Sequence, residues 1–162
     1  FLMLFTGLLI IHVLTVILWF GGLAFVTIII FPSLYKIEDI IQKAMSFQRV
    51  EHRFAKLARY YAATVGITGL TMAFITGKHL MLFTGHGIFL TIMFMIWVMW
   101  VVMLFGLEPF IIKKMLERMV KGEVPDVNAI FKRLNAMHWV LLTVSLIAAA
   151  SGILSSRGYG AN

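Results

Sequence analysis

The chain has 162 residues, 61% hydrophobic and only 13% charged, with a mean hydropathy of +0.97. A soluble domain is about half apolar and about a quarter charged, and a chain this short cannot bury such an excess in one water-facing core. Soluble folds are excluded, and the expectation is an all-α, polytopic membrane four-helix bundle in one domain. Cysteine is absent, which excludes disulfides, iron–sulfur clusters, zinc thiolates and covalently attached haem.

The predicted spans, in chain order, are helices over about 2–31, 54–77, 86–119 and 129–155. The first carries no formal charge and is expected to end at Pro32. It is too long and too uncharged for a signal-peptide core. Phe1 is not an initiator methionine, so the natural chain is expected to begin earlier, with this segment retained as a span. The second is led in by a more polar, amphipathic segment from about Ile40. The third continues past its apolar stretch as the polar-faced segment Glu108–Val120, and Gly122-Glu123-Val124-Pro125 is expected to stop it. Asp126 or Asn128 then caps the fourth. Each stretch approaches or exceeds the roughly 20 residues a helix needs to cross hydrocarbon.

Charge gives sidedness. Lys36, Lys43, Arg49, Arg53, Lys56 and Arg59 lie between the first and second spans, and Lys113, Lys114, Arg118, Lys121, Lys132 and Arg133 between the third and fourth. Only Lys78 and Arg157 fall on the other side. The formal net charge of +7 is therefore read as the positive-inside rule, with both termini outside and no nucleic acid as partner. The bilayer itself is the first partner.

Formal charges avoid the span centres, which leaves histidine as the chemistry-bearing residue within the membrane. His12 lies 20 residues before Pro32, about 30 Å along a helix, and so belongs in the outer half. His79 and His86 flank the short outer loop, whereas His52 and His138 belong to the cytoplasmic half. Neutral imidazole ligates iron, copper or zinc, and two histidines on different helices can hold a haem from both faces. His12 with His86 is the expected outer pair and His52 with His138 the inner one, so one or two haem b groups are expected. Trp19 and Gly22 fall near the face of His12 with Thr15, giving a hydroxyl, a flat ring and a gap. Arg49 or Arg53 is a candidate for haem propionates, the ordinary alternative being contact with anionic headgroups.

Two stripes have a chemical reading beside a packing one. Gly69, Ala73 and Gly77 recur at every fourth position of the second span, with Ala62 and Gly66 on a nearby track; small residues let helices approach closely or seat a flat cofactor. Met95, Met99 and Met103 form a thioether line suited to Cu(I) or to packing. Trp97 and Trp100 lie deeper than an interfacial aromatic belt and are expected to face protein or cofactor.

The run His12, six residues, then Trp19-Phe20-Gly21-Gly22 resembles the first helix of the CopD-like and HemJ-like membrane families, and Phe131-Lys132-Arg133-Leu134-Asn135 is similar to the HemJ-type entry to helix 4. The resemblance implies that His12 is an axial ligand of a b-type haem. Two features depart from the HemJ pattern: no proline-arginine pair follows the tryptophan closely, and no lysine lies inside helix 3. The functional expectation is a b-type cytochrome of a bacterial inner membrane, passing electrons between quinol and other subunits of a redox complex. Alternatives are copper transport or delivery, a HemJ-type protoporphyrinogen oxidase and a cofactor-free structural subunit.

Overall fold

The computed structural model describes residues 1–123 and 126–160. These residues are helical, with no strand among them. Four long helices pack together: α1 (Leu2–Tyr35), α2 (Ile40–Ile75), α3 (Ile88–Val102, continued through Met103–Leu107 and Glu108–Val120) and α4 (Val127–Ser156). α1 lies chiefly along α2 and α3 along α4, and α1–α4 and α2–α3 contacts close the ring.

Among the described residues three helices are long and apolar enough to cross a membrane: Leu2–Tyr35, Gly85–Met115 and Val127–Ser156. Their outward positions are exposed and apolar, among them Leu14, Ile17 and Leu18 on α1 and Val140, Leu146 and Ile147 on α4. That pattern marks a membrane protein, because such faces need lipid rather than water. The second half of α2 is less apolar, diluted by Tyr60, Tyr61, Thr64, Thr68 and Thr71. We call the end where α1 begins the N-terminal end, and the opposite end, which carries the α1–α2 and α3–α4 connections, the basic end.

Pro32 does not end α1. The helix widens instead into a π turn at Val26–Ile30, with the Phe31 N–H donating to the Val26 carbonyl five residues back, and then continues to Tyr35. α3 repeats the device: Met103–Leu107 forms a π turn, with Glu108 N–H on Met103 O, two residues before Pro109. Proline has no N–H and its ring clashes with the carbonyl four residues earlier, and a wider turn just ahead relieves both. The turn also corrects the helix face. Trp19 and Phe31 are twelve residues apart, which in an ideal α-helix puts them about 120° out of line; one extra residue per turn brings both into the core.

α2 begins at Ile40 rather than near residue 54. Asp39 caps it, its Oδ1 accepting from the Gln42 N–H at 2.8 Å, and no glycine or proline interrupts the chain before Gly66. Asp126 caps α4 in the same way, accepting from the Ala129 N–H at 3.1 Å. α3 ends at Val120, and Gly122 takes φ +67°; of the expected stop signal, Val124 and Pro125 lie outside the described residues.

The core has two levels. Trp19, Leu23, Ala58, Ala62, Trp100, Leu104, Leu141 and Leu142 fill the middle, with the Trp100 Nε1–H donating to Ser145 Oγ at 3.0 Å. Val26, Phe31, Leu34, Phe47, Phe131 and Leu134 fill the basic end. Between α2 and α3, Arg59 donates from Nε to the Leu104 carbonyl at 2.9 Å and pairs with Glu108. The first bond follows from Pro109: Glu108 N–H is taken by Met103, proline offers no donor, and the arginine supplies the one that Leu104 lacks.

Candidate functional site

Toward the N-terminal end the four helices part around a cavity of about 510 Å³. Along α1 it is lined from Phe5 to Trp19, about 20 Å of helix. Ligand pockets for small molecules and cofactors are about 300–1,000 Å³ and mostly apolar. Its walls are largely aromatic and aliphatic, with Phe20, Phe94, Trp97 and Trp100 prominent, and Lys78 is the one charged residue among its lining.

His12 is the cavity's titratable wall. Its Nδ1 lies 2.9 Å from Thr68 Oγ1 on α2. The Thr68 hydroxyl is a donor to the Thr64 carbonyl at 2.7 Å, so it accepts from the ring, and this network assigns the histidine proton to Nδ1. Nε2 is left with its lone pair, which is the state in which imidazole ligates a metal or accepts a hydrogen bond. A donor bond from the other nitrogen is also the usual means of orienting a ligating histidine. Gly69 makes the room: a Cβ there would meet His12 Cε1 at 3.0 Å.

Trp19 supplies a second polar feature. Its ring is buried, packed edge-on to Trp100 at 5.3 Å, and its Nε1–H has no hydrogen-bond partner. A buried donor without an acceptor carries a desolvation cost of about 1–3 kcal/mol, and this one belongs to a residue lining the cavity.

The small residues of α2 divide: Gly69 and Ala73 line the cavity, whereas Ala62 and Gly66 are engaged by Trp97. Trp97 lies over Gly66, where a Cβ would fall 2.2 Å from Cζ2, and donates from Nε1 to the Ala62 carbonyl at 2.9 Å. The gap at Gly22 receives Phe54, 2.9 Å from a Cβ built there, so Gly22 does not line the cavity. Thr15 turns its hydroxyl onto its own helix at Ile11 O, and Thr68 takes the place expected of it.

The expected histidine pairs are not brought together. His86 is exposed in the α2–α3 connection and lines a separate cavity of about 60 Å³ with Lys78, Met81 and Tyr159. His79 is held by the Ala73 carbonyl at 3.3 Å and stacks on Phe74. At the basic end His138 is buried, but the residue that reaches it is Glu51, with Oε2 3.5 Å from Nε2; His52 and Arg53 beside it are exposed. Among the described residues no group of three or more His, Cys, Asp or Glu side chains is placed to hold a metal ion. Met95 and Met99 are exposed, away from the cavity lining, whereas Met93 belongs to it.

Sequence reasoning missed Thr68, Lys78 and Glu51 as site residues. Thr68 sits on the glycine-rich track and Glu51 beside His52, but neither position marks what it touches across the bundle. Comparison with protein-family models, with curated proteins and with solved structures gives no match.

Proposed function

We propose that the chain is a four-span protein of a bacterial cytoplasmic membrane, with both termini outside, that binds one haem b in its outer-half cavity through His12. It serves as a membrane electron-transfer subunit between quinol and a partner. The observation that carries this reading is the His12 Nε2 lone pair, held by the Nδ1–Thr68 bond at the wall of a cavity of about 510 Å³. The sidedness rests on the twelve basic residues of the two longer connections against Lys78 and Arg157. α2 spans because its apolar half, from Tyr60 to Ile75, runs beside α1 for its length.

The residues present fit the group. His12 would hold the iron, and Trp19, Phe20, Phe94 and Trp97 would keep water from the group. Lys78 among the cavity lining would offer a cation for a propionate. Haem would supply the one-electron iron couple, and the chain the ligating imidazole, its orientation and an apolar surround.

The His12 acceptor also favours a second reading, in which quinol itself occupies the cavity and donates a hydroxyl to the ring. A reduced-minus-oxidised absorption spectrum with a pyridine haemochrome assay separates the two. The haem reading expects a b-type α-band at one haem per chain, lost in His12→Ala. Protein from haem-replete cells with no such band refutes it.

A further inference from the structure

At the basic end, outside the cavity, Glu51 and His138 meet in the core. They are 8% and 3% exposed, and the Phe31 ring packs on the imidazole at 4.8 Å, with Phe47 and Phe131 beside it. Hydrogen-bond accounting for this pair leaves one proton to be placed. His138 Nδ1 lies 2.9 Å from the Leu134 carbonyl. A carbonyl only accepts, so Nδ1 carries a hydrogen. In the neutral ring Nε2 is then a bare acceptor, and it faces Glu51 Oε2 at 3.5 Å, an oxygen that itself has no donor. Two acceptors facing one another in the core repel, and a buried carboxylate oxygen with no donor is disfavoured. One added proton, on the ring or on the carboxyl, turns the contact into an attraction.

We infer that Glu51 and His138 form a proton-binding site that holds a single proton between imidazole Nε2 and the carboxyl oxygen and exchanges it with water at the basic end. The charged and titratable groups around the pair define its route. α1 presents the apolar Phe31 there, and α2 itself carries the buried Lys43, which donates to Asn128 Oδ1 at 3.1 Å and lies over the Phe131 ring. α3 presents Glu108, which lies within electrostatic range of both Glu51 and His52 and is paired with Arg59 of α2. On α4 the neighbouring polar group is Asn135, whose buried Oδ1 is a further unpaired acceptor, while Lys132 and Arg133 are exposed. Glu108 and the exposed His52 are thus ionisable groups of the same end of the molecule that stand between the pair's end of the core and water. The proton comes from bulk water and returns to it, and no electron moves.

The test is magnetic resonance on the whole chain in lipid nanodiscs, with isotope-labelled histidine and glutamate side chains, titrated from mildly acid to mildly alkaline pH. At neutral pH the shared proton is expected either as a second ring proton on His138 or as a carboxylic acid at Glu51, and it is released as the solution becomes alkaline. In Glu51→Gln the side-chain amide supplies its own donor to Nε2, so His138 is expected neutral with its hydrogen on Nδ1 alone. A neutral His138 beside an ionised Glu51 in the unaltered chain at neutral pH overturns the inference, and that measurement needs no variant. Where the unaltered chain carries the second proton on the ring, a ring that stays doubly protonated in Glu51→Gln overturns it as well. So does a divalent cation found by elemental analysis whose chelation shifts both signals, because the cation would then stand where the proton is placed.

Discussion

Replacing Gly66 by alanine tests how α2 and α3 are fitted together. The added Cβ would lie 2.2 Å from Trp97 Cζ2 and 2.8 Å from Cε2. Carbon contacts are comfortable from about 3.5 Å, so the rigid indole must retreat by about 1.3 Å. Its Nε1 donates to Ala62 O at 2.9 Å, and a retreat of that size takes the bond beyond hydrogen-bonding range. Overpacking costs about 1–3 kcal/mol and the stranded indole N–H about 1–3 kcal/mol, while alanine regains about 0.8–1.0 kcal/mol over glycine in a helix. The net loss is centred near about 3 kcal/mol, roughly 6–12 °C in Tm for a chain of this size. Circular dichroism melts in one detergent, with Gly7→Ala as reference, read it directly, because nothing lies within 4 Å of a Cβ at Gly7. The loss should largely vanish when Trp97→Ala is added. Equal melting of Gly66→Ala and Gly7→Ala would refute the reasoning.

Thr68→Val keeps the shape of the side chain but removes the acceptor of the His12 Nδ1–H. Haemin titration of the apoprotein is expected to show an affinity about 10–100-fold weaker, with Thr71→Val, whose hydroxyl bonds its own helix at Ile67 O, unchanged. The chain has no cysteine, so single cysteines at Lys36 and Gly85 report sidedness without background. Only α2 separates these exposed positions in sequence, and an impermeant thiol reagent should label them from opposite faces of the membrane. Labelling from the same face would remove α2 from the set of spanning helices.

How far the molecule could be read from its residues depended on the range of the interaction involved. Hydropathy is local, and the three most apolar helices were legible from it. The caps were legible for the same reason: Asp126 stands one residue before α4, and its bond reaches only to Ala129. The proline at position 32 misled because its effect depends on what the preceding turn can do. A β-branched run ahead of it widened rather than stopped. The start of α2 was misplaced because charge density at its first half looked like a connection, although nothing there breaks a helix. Within the site, His12 and Trp19 were legible as polar groups in an apolar stretch. Their partners were not, because rotation about each helix axis is set by close contacts such as Trp97 over Gly66 and His12 against Gly69. Those contacts turn Thr68 toward His12 and leave His86 on another wall, and they join His138 to Glu51 rather than to its neighbour His52.

The two widened turns have a consequence for how such a chain tolerates change in length. Each is one residue longer than the α-helical turn it replaces, so deleting a residue from Val26–Ile30 would restore an ordinary helix with Trp19 and Phe31 eleven residues apart, about 20° from alignment. Phe31 and Leu34 would keep their places in the core, as would His12 and Trp19 upstream of the change. One residue can therefore be lost at either point without turning the two halves of the molecule against one another, whereas a deletion elsewhere in the same helix would turn them by about 100°.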